Sequence, residues 1–154
     1  VLKSASSENE GRQYSLPDRE LGAESTLDGV RLCILDAAMR SAASGCGPGV
    51  MGVCVGGDRA TGFAHSKVQF LHKVGHTSRV KALGRLENSI LRDVRKLEVG
   101  PMGLGGKSAL LDVHIGSQSR LPSSFFVSIS YMGWALRRRG AVLGPNGGLK
   151  RWLY

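Results

Sequence analysis

Apolar positions recur at helical spacing in two stretches of the chain. Leu27, Val30, Ile34, Ala37, Ala38 and Ser41 mark one face of a helix that Ser25 or Thr26 can cap and that runs to about Ser44. Cys33 lies on or beside that face and reads as a small core residue. Val80, Leu83, Leu86, Ile90, Val94 and Leu97 mark a second, amphipathic helix over 78–97, with Glu87, Arg92 and Lys96 on its outer side. Residues 51–55 form a short apolar run that predicts a buried strand, in which Cys54 packs rather than ligates, and residues 61–74 suit a helix opened by Gly56-Gly57. Residues 110–115 alternate weakly as a strand, and residues 125–131 read clearly as another. At the C-terminal end two apolar runs flank Pro145-Asn146-Gly147-Gly148, a hairpin signal. The expectation is an α/β fold: a mixed sheet flanked by helices, in a single domain over 25–154 that ends in a β-hairpin. A polar, irregular lead-in covers 1–24, with a turn or helix start at Leu16-Pro17-Asp18.

Composition narrows the class. A chain of 154 residues with 42% hydrophobic content can bury a real core as one domain. It has no run of 18 apolar residues, and Val1-Leu2-Lys3 does not open a secretion signal, so neither a membrane span nor export is expected. The start without Met agrees with a fragment. Three dispersed cysteines argue against a disulfide framework and for a reducing, cytoplasmic setting. The net charge of +9 admits nucleic acid as a partner, or the steering of a small dianion into a cleft. The basic clusters, Arg137-Arg138-Arg139 and Lys150-Arg151 beside Trp152 and Tyr154, match no nucleic-acid motif and read as a solvated helix end and a solvated strand.

The segment Gly100-Pro101-Met102-Gly103-Leu104-Gly105-Gly106-Lys107-Ser108 fits no regular element. It predicts a shaped loop between a helix and a strand, where backbone N–H groups and a lysine commonly hold anions. It matches neither the Walker pattern nor the dinucleotide fingerprint. A second such segment, Gly45-Cys46-Gly47-Pro48-Gly49, places a cysteine in a turn that feeds the strand ending at Gly56-Gly57.

Taken in order, Ser7-Glu8-Asn9, Cys46-Gly47-Pro48-Gly49 with Gly56-Gly57, the loop over 100–107, and Arg120-Leu121-Pro122-Ser123-Ser124-Phe125 make the chain resemble the α-domain of the class I fumarate hydratase and L(+)-tartrate dehydratase family, over residues 4–154. The resemblance implies a 4Fe-4S cluster on cysteine thiolates, an open iron that takes the carboxylate and hydroxyl of a small dicarboxylate, and a cleft completed by a β-type domain or subunit. Cys46 matches one cluster ligand. The family's first ligand cysteine has no counterpart here, and Gly133, ahead of Trp134-Ala135-Leu136-Arg137-Arg138, stands at the third. Leu121 occupies the place of a histidine that many members use in catalysis, and Ser4-Ala5-Ser6-Ser7 replaces a Gly-Gly-Gly-Ser. The positioning residues carried over are Ser7, Asn9, Lys107 and Arg120, expected to bind substrate.

The chain is therefore expected to be a hydro-lyase α-subunit or part of one, acting on fumarate and malate or on tartrate. A β-type partner and an oligomeric state follow from that reading. One matching thiolate does not make a cluster site, so the cluster is not expected to be retained by this chain alone. The alternative is a silent homologue that keeps the scaffold for an anion or a partner chain; a basic nucleic-acid-binding domain stands third. Among the histidines, His65, with Lys67, could face the site. His72 and His76 are spaced as a metal pair or as surface residues with Gly75 breaking the helix between them, and His114 is a proton donor or a structural histidine.

Overall fold

The computed structural model describes residues 8–133 and 140–153. A 3-10 turn at Glu8–Glu10 leads into β1 (Arg12–Ser15), α1 (Leu27–Ser44), β2 (Gly49–Val55) and α2 (Arg59–Val68). A second 3-10 turn at Gln69–Leu71 precedes α3 (Lys81–Lys96), and a third at Pro101–Gly103 precedes β3 (Leu110–Ser117), β4 (Phe126–Met132), β5 (Ala141–Leu143) and β6 (Leu149–Trp152). The first four strands make one mixed sheet in the order β1-β4-β2-β3, with β2 and β3 parallel and β4 antiparallel to both its neighbours. β5 and β6 form a separate two-stranded hairpin.

Strand alternation gives the sheet two unlike faces. Met51, Val53, Val113, Ile115, Val127, Ile129 and Tyr131 pack with the buried stripe of α1 and with Leu83, Leu86, Ile90 and Val94 of α3 in one core. The opposite face is small and polar. A Cβ added to Gly52 would run into the Ser66 carbonyl, so α2 lies close on the sheet, and the Ser66 and Ser130 hydroxyls bond across the contact at 2.7 Å. Val50, Phe70 and Met132 close that side as a smaller apolar cluster. Helices thus cover both faces, as the expected flanked mixed sheet requires.

Local signals hold at the helix starts. Thr26 Oγ1 accepts the Gly29 N–H at 3.2 Å, and Asp58 with Thr61 forms a capping box for α2. Differences arise where tertiary contacts outweigh pattern. The lead-in is not irregular throughout: residues 12–15 pair with β4 as an edge strand. The helix expected over 61–74 stops at Val68 and tightens into the 3-10 turn. Glu87, read as facing solvent, is 3% exposed. Its carboxylate accepts the Ser78 N–H at 2.9 Å and the Ile115 N–H at 2.8 Å. Ile115 lies on β3, an edge strand whose outward N–H groups need acceptors, and that demand draws the carboxylate inward. Val80 and Leu97, at the ends of α3, stand outside the core. No helix among the described residues is long and apolar enough to cross a membrane, and all three cysteines are free thiols.

An ion pair joins the two helices of the apolar face. Arg31 on α1 donates to Asp93 on α3 at 2.6 Å, and Lys96 adds a contact at 3.1 Å. The Arg31 guanidinium first, and Lys96 after it, hold the Asp93 carboxyl down to about 2. A carboxyl depressed on folding contributes stability above its unfolded value of about 3.9 and loses it as pH falls through the folded value. Asp93→Asn is expected to lower Tm by a few degrees near neutral pH, with the gap to wild type narrowing as pH drops below about 4. Thermal unfolding followed by circular dichroism across that range checks it; a gap independent of pH would contradict it.

Candidate active site

The chain enters β2 from α1 through the turn Gly45-Cys46-Gly47-Pro48, at the amino-terminal edge of the parallel pair β2 and β3. Tyr131 of β4 is the post around which the turn is built. Added Cβ atoms on Gly45 and Gly49 would both run into its ring, so only glycine lets the backbone pass on either side. The Tyr131 hydroxyl donates to the Cys46 carbonyl at 3.2 Å. Burial first, then the nearby Cys46 and Glu10, push that phenol up to about 12, so it stays a neutral donor. The Cys46 side chain is exposed.

The loop after α3 lies against this turn. A Cβ on Gly47 would stand 3.0 Å from Pro101 Cα, and one on Gly103 would stand 3.5 Å from Ala43 Cα in the last turn of α1. Gly100 adopts φ 66°, with no room for a side chain against Gly105. The Leu104, Gly105 and Gly106 N–H groups bond back to the carbonyls of Pro101, Val99 and Glu98, so these donors hold the loop's own shape. Lys107 is exposed, with its ammonium 3.9 Å from Glu98.

Asn9 comes to the same edge, since β1 runs antiparallel to β4 and its start adjoins the end of that strand. The Asn9 amide donates to Glu10 Oε1 at 3.1 Å. Glu10 is buried, receives the Ser44 hydroxyl at 3.1 Å, and takes the Ser41 hydroxyl on its carbonyl at 3.3 Å. Nothing local in the sequence marks Glu10, because a single acid in a polar stretch has no periodicity.

Cys46, Asn9 and Lys107 therefore share one edge. Arg120 does not. It follows β3 at the carboxyl-terminal edge, about 20 Å away along a seven-residue strand. There its guanidinium lies 4.2 Å from the Phe125 ring centroid and donates to the Leu121 and Pro122 carbonyls. Leu121 is exposed beside it. His65 also lies at that end, against Gly116 and Gln69. Ser7 and the run Arg137-Arg138-Arg139 lie outside the described residues. Lys150 and Arg151 sit on β6, exposed along its whole length.

Fold and edge together define a layered α/β scaffold whose sheet edge is closed by glycine-shaped loops. The chain belongs to the fumarate hydratase (Fumerase) family, whose model matches residues 1–142. It is 41% identical over its whole length to a Geobacillus stearothermophilus protein provisionally named fumarate hydratase class I, of which it covers 31%. Over 75% of its length it is 30% identical to the L(+)-tartrate dehydratase subunit alpha of Escherichia coli K12, of which it covers 38%. A Methanocaldococcus jannaschii protein provisionally named as the same subunit is 31% identical over 73% of the chain and 39% of the relative. The chain spans about a third of the length of these curated relatives.

The donors at this edge do not fit a 4Fe-4S cluster. Cys33 lies twelve residues before Gly45 in α1, about 18 Å along the helix, and Cys54 lies about 17 Å up β2 from Gly49. Burial pushes the Cys33 thiol up to about 12 and the Cys54 thiol up to about 11, away from the thiolate form that iron needs. Gly133, beside this turn, offers no donor side chain. A Cβ there would stand 2.8 Å from Cys46 Cβ and closer still to the Cys46 carbonyl oxygen. The turn thus leaves no room for a side chain at position 133. Among the described residues no group of three or more His, Cys, Asp or Glu side chains is arranged to hold a metal ion.

Because the clash is with backbone, even a methyl group at position 133 must displace the turn. Gly133→Ala and Gly133→Cys are each expected to destabilise the fold by about 1–3 kcal/mol, the usual range for overpacking. Urea denaturation measures this. Wild-type stability in both variants would show that the turn yields freely.

Proposed function

We propose that this chain is the α-type part of a hydro-lyase that adds water to, or removes it from, a small dicarboxylate: the fumarate and malate pair, or tartrate. The observation that carries this reading is the meeting of the Cys46 turn and the loop over 100–107 at one sheet edge, in a chain of the fumarate hydratase family. The relatives named fumarate hydratase class I and L(+)-tartrate dehydratase subunit alpha supply the two substrate classes.

Hydration next to a carboxylate requires that the carboxylate be held and that a proton move at the adjacent carbon. In this reading Lys107, the Asn9 amide and Ser7 hold the substrate. We assign Arg120 instead to the stack on Phe125, since the length of β2 separates it from Cys46. Cluster chemistry of the family type is not supplied by this chain's own thiols, so the chain binds the dicarboxylate without converting it by itself. A β-type chain or domain completes the cleft. Met102 and Leu104, exposed apolar side chains on the loop tip, suit that contact.

Fumarate, malate or tartrate is expected to raise Tm, approaching the effect of about 2.7 kcal/mol that ligand at a hundred times Kd confers. Lys107→Ala should abolish the shift while leaving the unliganded Tm within about a degree, because the lysine is exposed. No response to any of the three acids would sink the reading. Nucleic-acid binding that survives Lys107→Ala and weakens steeply with salt would favour the basic-domain alternative. The chain is further expected to sediment above its monomer mass as concentration rises; a clean monomer throughout would count against the partner surface.

A further inference from the structure

The four histidines fall at one place although they span residues 65–114. A cavity of about 300 Å³ opens between α2, the segment 72–80, α3 and the end of β3, lined by His65, His72, His76, Glu87 and apolar side chains including Leu83 and Ile115. The His72 and His76 rings stack with centroids 4.3 Å apart and planes 3° from parallel. His114, 1% exposed, lies beneath them at 5.7 Å and 6.2 Å, with its Nε2 3.5 Å from Asp112 Oδ2.

Buried carboxylates fasten the segment that carries the stack. Asp112 of β3 accepts the Gly75 N–H at 2.6 Å, between the two stacked rings in sequence. Glu87 of α3 accepts the Ser78 N–H just beyond them, and its other oxygen takes Ile115 of β3. Segment 72–80 is therefore a strap over the cavity, pinned to a strand and to a helix.

We propose that the His72–His76 stack is a proton-operated latch on this strap, closed while the two rings carry at most one proton between them and opened when both are protonated. The groups that face the stack are His65 from α2, Glu87 from α3, and Asp112 and His114 from β3. Of the cations on the same segments, Lys73 and Arg79 lie on the strap, Lys67 on α2 and Lys81 on α3. A first proton is compensated by Glu87 and Asp112. Burial pushes the Glu87 carboxyl up, its N–H bonds from Ser78 and Ile115 draw it back, and Asp112 and His76 act on it in opposite directions. A second proton places two like charges 4.3 Å apart in a half-buried stack, beside a third titratable ring. Separating the rings into water relieves that repulsion. The closed strap binds fewer protons than the open one, so closure holds at higher pH and is lost as falling pH protonates the second ring.

Amide hydrogen exchange read by NMR on the full chain tests this, with rates corrected for their intrinsic pH dependence. Protection of the Gly75 and Ser78 amides is expected to fall at least about tenfold between pH 7.5 and pH 5.5, while amides in the middle of α1 keep theirs. His72→Phe and His76→Phe preserve a ring that stacks but takes no proton, and each should make strap protection independent of pH. If either phenylalanine variant misfolds, His76→Gln serves the same purpose. Equal strap protection at both pH values in the wild type would overturn the proposal. So would an unchanged loss in the variants, which would assign the response to Asp112 and Glu87 instead of the stack.

Discussion

β2 is covered on both faces and hydrogen-bonded along both edges, and its placement constrains everything else. Every residue from Gly49 to Cys54 is buried. A strand so enclosed must present bulk to one helical layer and let the other come close. Met51 and Val53 do the first against α1 and α3, and Gly52 does the second beneath α2. Fixing β2 fixes the levels at which β3 and β4 begin and end, and hence what meets at each edge of the sheet. The amino-terminal edge receives the Cys46 turn, the glycine loop and the Asn9–Glu10 segment. The carboxyl-terminal edge receives Arg120 and the end of β3, beside the histidine cavity.

At the amino-terminal edge the geometry is one of close approach. Tyr131 is too large to share its space with side chains at 45 or 49, and its neutral phenol anchors the turn through the Cys46 carbonyl. The same tightness removes room at Gly133. Any side chain at that position would have to move the Cys46 turn. Three N–H groups of the segment 104–106 bond back to carbonyls of the same loop and the residues just before it, and Lys107 stands exposed with its ammonium 3.9 Å from Glu98.

The other end of the sheet shows how an edge strand recruits polar groups. β3 has no strand beyond it, so its outward N–H groups turn to side-chain carboxylates. Glu87 comes in from α3 for Ile115, and Asp112 turns back on its own strand to take the Val113 N–H at 2.9 Å. Each carboxylate has a second oxygen to spend, and both spend it on the segment that carries the histidine stack. Sheet-edge satisfaction and strap attachment are one set of bonds.

Periodicity, caps and turn residues were enough to read α1, β2, β4 and the hairpin from the chain alone, because those signals are local: Thr26 caps its helix wherever the rest of the chain goes. Motif order was enough to read the family, since the glycine segments at 45–49, 56–57 and 100–107 follow one another in a single recognisable sequence. Other features were decided by distant partners. β1 is a strand because β4 offers it an edge, although its own residues alternate too weakly to announce it. Glu87 is buried because β3 needs an acceptor, and Glu10 because Ser41 and Ser44 meet it at the end of α1. Arg120 and Cys46 belong to motifs that read as one site, yet a strand's length separates them. His65 and His114 are neighbours of the His72–His76 pair for the complementary reason: hydrogen-bond demand and packing across a sheet join residues that no local pattern links.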